Sequence, residues 1–363
     1  MKLNSLPVED GFSMMAESDV IGSLWLLLPT RPDNWRDNAT PVQNTYVNLI
    51  ETISRYVKVN VGIEHKRFMH LFNTTNKKNI KVHILNYDDA WIRDTGPIFL
   101  KDEHNHVRGV KWRFNAWGGM DEGLYANWEQ DDLIGERICD IGSIDYYLND
   151  MILEGGSVLS DEFGTLYTTE SCLLNKNRNP KKNKKEIEKN LIEYLGVNRV
   201  VWIPEGLKYD ETDGHVDNVC LLADKRRILL HWTNDKNDPQ YEIVREAKKT
   251  IEIESKSESY NYEIIKVESP RQVPLKQYES KGISIVEGTY SRNSGDYVIS
   301  SYVNAYQDRN IVVLPQFGDR EKDSAALNLF RKVYPNKNII PFPAREIIIG
   351  GGGLHCITLV QPA

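Results

Sequence analysis

Apolar positions along the chain repeat with two periods. In four stretches they recur every third or fourth residue, the spacing of a helix that buries one face. The first covers residues 42–56, with Tyr46, Leu49, Ile50 and Ile53 as its stripe. The second starts at Pro180 and is closed by Gly196, with Ile187, Leu191, Ile192 and Leu195 on one side. The third covers residues 241–253, and the fourth residues 324–334 with Leu327, Phe330 and Tyr334 inward. Short β-rich runs lie between them, at residues 22–28, 81–85, 98–100, 199–203, 227–231 and 311–314. Strands and helices alternate, with further short hairpins between. That is more strand than a doubly wound sheet needs, so an α/β fold built from a repeated ββαβ unit is expected.

Four polar segments share one layout, a charged or glycine-rich turn that runs into an apolar strand. They are Asp94-Thr95-Gly96-Pro97 before Ile98, Glu154-Gly155-Gly156-Ser157 before Val158, Gly214-His215-Val216-Asp217-Asn218 before Val219, and Gly350-Gly351-Gly352-Gly353 leading through Leu354-His355-Cys356 to an apolar strand at residues 357–360. Glu287-Gly288-Thr289-Tyr290 is a related fragment. If each closes an equivalent unit, all face a common centre.

Composition narrows the class. The chain has 363 residues, 40% hydrophobic and 27% charged, as in an ordinary soluble globular protein, with enough apolar residues for a core of normal depth. A net charge of −7 argues against a nucleic-acid or anionic-membrane surface and permits a cationic substrate. The first residues lack the apolar core of a signal peptide, and the run from Val20 to Pro29 is too short to cross a bilayer. A cytoplasmic location follows as the expectation. Four cysteines, at 139, 172, 220 and 356, are far apart and form no CxxC pair, so reduced thiols are expected. Cys139 and Cys220 sit in apolar runs and read as core.

Cys356 is either a nucleophile where a loop enters rigid structure or an inert buried thiol. His215 and Asp217, two apart, would share one face of an extended strand, where a histidine can carry protons near neutral pH. The bland alternative is a solvated acidic turn. Asp94, Asp217 and Glu154 would suit a planar cation, since a guanidinium presents a fork of donors that matches carboxylates. Trp91 and Trp117 would wall in such a cation or belong to the core. Cysteine, histidine and aspartate are also zinc ligands, but no HxxxH or CxxC spacing is present and an aspartate-rich shell is hard-oxygen in character. No metal and no cofactor are expected.

These segments resemble a known family. Trp91-Ile92-Arg93-Asp94-Thr95-Gly96-Pro97, Glu154-Gly155-Gly156-Ser157, residues 168–175 (Thr168 to Asn175), Glu211-Thr212-Asp213-Gly214-His215-Val216-Asp217 and residues 350–356 are similar to the agmatine deiminases, within the bacterial-type peptidylarginine deiminases and the wider guanidino-modifying superfamily. Arg31-Pro32-Asp33-Asn34-Trp35-Arg36, Phe114-Asn115-Ala116-Trp117-Gly118-Gly119, Arg178-Asn179-Pro180, Ser301-Tyr302-Val303-Asn304 and Pro315-Gln316-Phe317-Gly318-Asp319 match in order, so the likeness spans the chain. The resemblance implies a pentein, five ββαβ modules around a pseudo-fivefold axis, as one domain over residues 1–363.

It further implies hydrolysis of agmatine to N-carbamoylputrescine and ammonia, with Cys356 as nucleophile and His215 as proton carrier. Asp94 and Asp217 would hold the guanidinium, and Glu154 would orient His215 or a substrate nitrogen. Trp91, Trp117 and Gly351 would line the substrate channel, with Glu211 reaching the distal amine. No cofactor is implied, and a homo-oligomer, dimer or tetramer, is expected. The chain departs from the family pattern at Gly353-Leu354 and at Asp213, whose added carboxylate would favour protonated His215. Alternatives are a deiminase for arginine or peptidyl-arginine, and a weak paralogue that binds guanidines or polyamines.

Overall fold

A computed structural model describes residues 1–17, 21–73, 77–257 and 262–363; Val20, at the head of the first apolar run, lies outside the described residues. Among these residues one pairing scheme recurs. A strand pairs antiparallel with the next, a helix crosses over, and a third strand returns parallel to the second. Ile98–Lys101, Val107–Arg113 and Tyr146–Ile152 form one such set, with Ile134–Gly142 as the crossover. Leu159–Ser160, Thr165–Thr169 and Arg199–Ile203 form another around Lys184–Leu195. Cys220–Asp224, Arg227–Trp232 and Glu263–Glu268 enclose Tyr241–Ser257. Tyr306–Gln307, Ile311–Gln316 and Asn338–Pro343 enclose Arg320–Val333. The remaining set joins the two ends of the chain. Leu359–Pro362 lies antiparallel to Ile21–Leu27, which runs parallel to Lys58–Ile63 across Thr40–Ile53. The result is an α/β fold of mixed sheets.

Parallel pairing dictates this economy, because parallel strands need a crossover that a tight hairpin cannot supply. The helices form where the apolar stripes expect them. Thr40–Ile53 buries Val42, Tyr46, Leu49, Ile50 and Ile53. Lys184–Leu195 starts at a capping box between Asn183 and Glu186, buries Ile187, Leu191 and Leu195, and ends at Gly196 with φ +61°. The Asp319 side chain accepts a hydrogen bond from the backbone N–H of Lys322 to open Arg320–Val333.

Three of the polar turns are helical. Ile92–Thr95 and Val216–Val219 are single α-turns and Gly155–Ser157 a single 3-10 turn, each delivering the chain into the next strand. A turn over residues 354–357 precedes the final strand, which starts at Leu359 and not at Ile357. His215 and Asp217 therefore do not alternate along a strand; His215 is the N-cap residue and Asp217 lies in the helical turn. The equivalent segment of the fourth set is residues 301–304 before Tyr306, whereas Glu287–Tyr290 lies in a turn with Glu287 exposed. Among the described residues, no helix is long and apolar enough to cross a membrane.

Candidate active site

The short turns converge. Their buried polar side chains surround Gly156, where a Cβ would lie 2.7 Å from His215 Nδ1, 2.8 Å from Asp94 Oδ1 and 3.1 Å from Asp217 Oδ2. Only glycine leaves that space open. Around it Asp94, Glu154, His215, Asp217 and Cys356 are all buried, at 6% exposure or less. Burying this many ionisable groups is costly unless each is paired or meets a ligand.

Cys356 Sγ accepts from Asn304 Nδ2 at 3.2 Å and from the Gly353 N–H at 3.4 Å, and its thiol faces Asp217 Oδ2 at 3.6 Å. Burial, then the charges of Asp217 and Asp94, push the thiol well above its ordinary pKa, so it rests protonated. Asp94 accepts from Trp117 Nε1 at 3.0 Å and from the Gly156 N–H at 2.9 Å, yet burial raises its pKa to about 6. Asp217 accepts from His355 Nδ1 through Oδ2 at 2.8 Å, while its buried Oδ1 has no partner.

His215 Nδ1 lies 3.8 Å from Asp94 Oδ2, and Nε2 lies 3.8 Å from Glu154 Oε2 without a hydrogen bond. Burial opposes a charged imidazole here. Asp94, then Cys172 and Glu154, outweigh it and raise the His215 pKa. Asp213, expected to act on His215, instead bonds to Asn177 and Arg178 from a left-handed backbone at φ +66°.

Trp91 and Trp117 meet edge to face with ring centroids 6.4 Å apart, and Trp91 also stacks on Trp35 at 5.2 Å. Both indoles are buried, so they wall the centre and belong to the core at once. Gly351 has φ +109°, and a Cβ there would come within 2.5 Å of Glu211 Oε2. Glu211 is not a free carboxylate: Arg292 grips both its oxygens while also donating to Gly350 O at 2.9 Å. The pair borders a cavity of about 390 Å³, also lined by Tyr209, Asp210, Tyr290, Asp296 and Tyr297.

Sequence reasoning gave no role to five residues around this centre. Asn304 is one. Arg178 is another; fully buried, it donates to Glu154 Oε1 at 2.7 Å and, with burial opposing, its charge and that of His215 hold Glu154 at a pKa of about 2. His355 bridges Asp217 and Glu17 (2.8 and 3.3 Å), and Cys172 Sγ lies 4.0 Å from Glu154 Oε2. Asn304 and Arg178 stood inside segments that match the family, but a lone asparagine or arginine carries no local pattern that betrays a partner far along the chain.

A thiol, a buried histidine and several carboxylates thus meet at one buried centre, and the carboxylates there suit a planar cation. Residues 13–362 match the model of the Porphyromonas-type peptidyl-arginine deiminase family, and the chain belongs to that family. It is 42% identical to a putative agmatine deiminase of Mycoplasma capricolum, over 99% of this chain and 98% of the relative. It is 40% identical to the agmatine deiminase of Stutzerimonas stutzeri, over 99% and 98%. The structure of the Enterococcus faecalis agmatine deiminase superposes with a TM-score of 0.94 at 38% identity, covering 99% of this chain and 98% of that one.

Proposed function

We propose that this protein hydrolyses agmatine to N-carbamoylputrescine and ammonia through an amidino-cysteine intermediate. The observation that carries the reading is the unpartnered, buried Oδ1 of Asp217, whose other oxygen, Oδ2, faces the Cys356 thiol at 3.6 Å. A buried acceptor with no donor calls for a cation. A guanidinium between Asp94 and Asp217 would satisfy it and offset the negative field that keeps the thiol protonated. Substrate binding would then favour the thiolate, its proton released to solvent and the sulfur held by Asn304 and the Gly353 N–H.

Cys356 Sγ adds to the guanidinium carbon, and protonated His215 gives its proton to the departing nitrogen, which leaves as ammonia. His215 then takes a proton from water, which adds to the amidino carbon. Collapse expels the thiolate and leaves the ureido product. Glu154, anchored by Arg178, holds the charged form of His215. Trp91 and Trp117 fix the width of the chamber.

Agmatine is favoured over arginine by the outer cavity. Asp210, Glu211 and Asp296 outnumber the cation Arg292 there, which suits a substrate ending in an ammonium and opposes one ending in a carboxylate. Glu211 would act within its pair with Arg292, and Gly351 would keep that pair close to the channel. We further propose one pentein domain over residues 1–363, with the five ββαβ sets arranged about a pseudo-fivefold axis, working in the cytoplasm as a homo-oligomer. Release of ammonia and ureido product from agmatine, arginine and arginyl peptides, with mass detection of an adduct equal to agmatine less ammonia on Cys356, tests the reading. Equal turnover of arginine, or turnover without an adduct on Cys356, overturns it.

A further inference from the structure

Behind the proton carrier lies a second thiol that the reaction does not use. One ligand atom each of Cys172, Glu154 and His215 (the sulfur, a carboxylate oxygen and an imidazole nitrogen) lie within 4.8 Å of one another, and all three residues are buried. Glu154 Oε2 stands 4.0 Å from the sulfur and 3.8 Å from the imidazole nitrogen. His215 is 1% exposed and its Nε2, directed into this cluster, has no hydrogen-bond partner. Arg178 occupies Glu154 Oε1 and shares its charge with Asp213, so Oε2 is left to accept another ligand.

We propose that Glu154, Cys172 and His215 form an inhibitory site for a zinc-class divalent cation. Sulfur, imidazole nitrogen and one carboxylate oxygen are the donor set of Zn²⁺ and its soft analogue Cd²⁺; magnesium and calcium prefer oxygen alone. Tetrahedral zinc with bonds of about 2.0–2.3 Å would need the three atoms to close in by about 1 Å or less, with water at the fourth position. The Cys172 thiol and the imidazolium of His215 each release a proton to solvent as the metal binds. The His215 lone pair, committed to the metal, can no longer take up a proton, and turnover stops. Entry is through the guanidinium chamber, so bound agmatine shields the site. The nucleophile Cys356 is not a ligand.

The test uses full-length Cys356→Ser protein, in which the nucleophilic thiolate cannot bind metal. Cd²⁺ titration followed by thiolate-to-metal absorption in the near ultraviolet should show one equivalent bound. Adding Cys172→Ala, or Cys172→Val to keep the buried volume, should weaken binding by about tenfold or more, as expected for the loss of a whole ligand. In the native enzyme Zn²⁺ should inhibit, chelator should restore activity, and agmatine should slow the onset. Cys172→Ala and Cys172→Val enzymes should turn over while needing about tenfold or more additional zinc for inhibition. Absence of Cd²⁺ absorption in Cys356→Ser overturns the proposal, as does unchanged zinc sensitivity in either folded Cys172 variant, which would place the metal on Cys356. The absorption reads no turnover, so its failure leaves the deiminase reading untouched.

Discussion

Arg178→Gln is the perturbation with the largest stability effect we expect near the site. Arg178 and Glu154 are both 0% exposed in their side chains, joined at 2.7 Å. The guanidinium also donates to Thr212 O at 2.9 Å and Asn177 Oδ1 at 2.7 Å. The magnitude follows by two routes. Glu154 is held at about 2 against an ordinary 4.5. At about 1.4 kcal/mol per pH unit this is about 3 kcal/mol of stability at neutral pH, part of it supplied by His215. Stranding one charge of a buried pair costs about 3–5 kcal/mol. Because the folded pKa is depressed, the contribution is present above pH 4.5 and is lost as pH falls towards 2. The assay is urea unfolding at pH 7, where Arg178→Gln should lose about 3 kcal/mol. Arg178→Gln combined with Glu154→Gln should regain much of it, since neither charge then stays buried alone. A loss below about 1 kcal/mol, or a double variant no more stable than Arg178→Gln, would refute the reasoning.

Asn304→Leu removes a donor to the thiolate, and kcat/KM for agmatine should fall about 10- to 100-fold with the adduct forming more slowly; unchanged adduct formation in single-turnover mass analysis would contradict the Asn304 role. Gly351→Ala forces a side chain to φ +109° against Glu211 and should cost about 1–3 kcal/mol in thermal unfolding while raising KM. His231, buried with Nδ1 donating to Ser301 Oγ at 3.0 Å, has its pKa lowered by burial to about 4 from 6.5. Its contribution to stability is therefore present above pH 6.5 and lost as pH falls through about 4, worth about 3 kcal/mol in all. His231→Gln should flatten the acid limb of a stability–pH curve by that amount; an unchanged limb would show that other groups set it.

The local signals were strong where chemistry is local. Stripes such as Ile187, Leu191 and Leu195 and the glycine after them marked a helix and its end, because periodicity and capping act within a few residues. The motifs carried Cys356, His215, Asp94, Asp217 and Glu154, and the structure places all five in one buried centre. His215 and Asp217, expected on an extended strand, lie instead at a single helical turn, because a four-residue helix has too few residues to show a period.

Sequence by itself determined the alternation of elements and the residue types at the centre. Only the tertiary structure decided which partners those residues keep. It gave Asp213 to Arg178, Glu211 to Arg292, and Asn304 to Cys356. It also left Asp217 Oδ1 and His215 Nε2 without partners. The reason is physical: the charge state of a buried group is set by desolvation and by neighbours from other strands, and neither leaves a mark in the residues beside it along the chain.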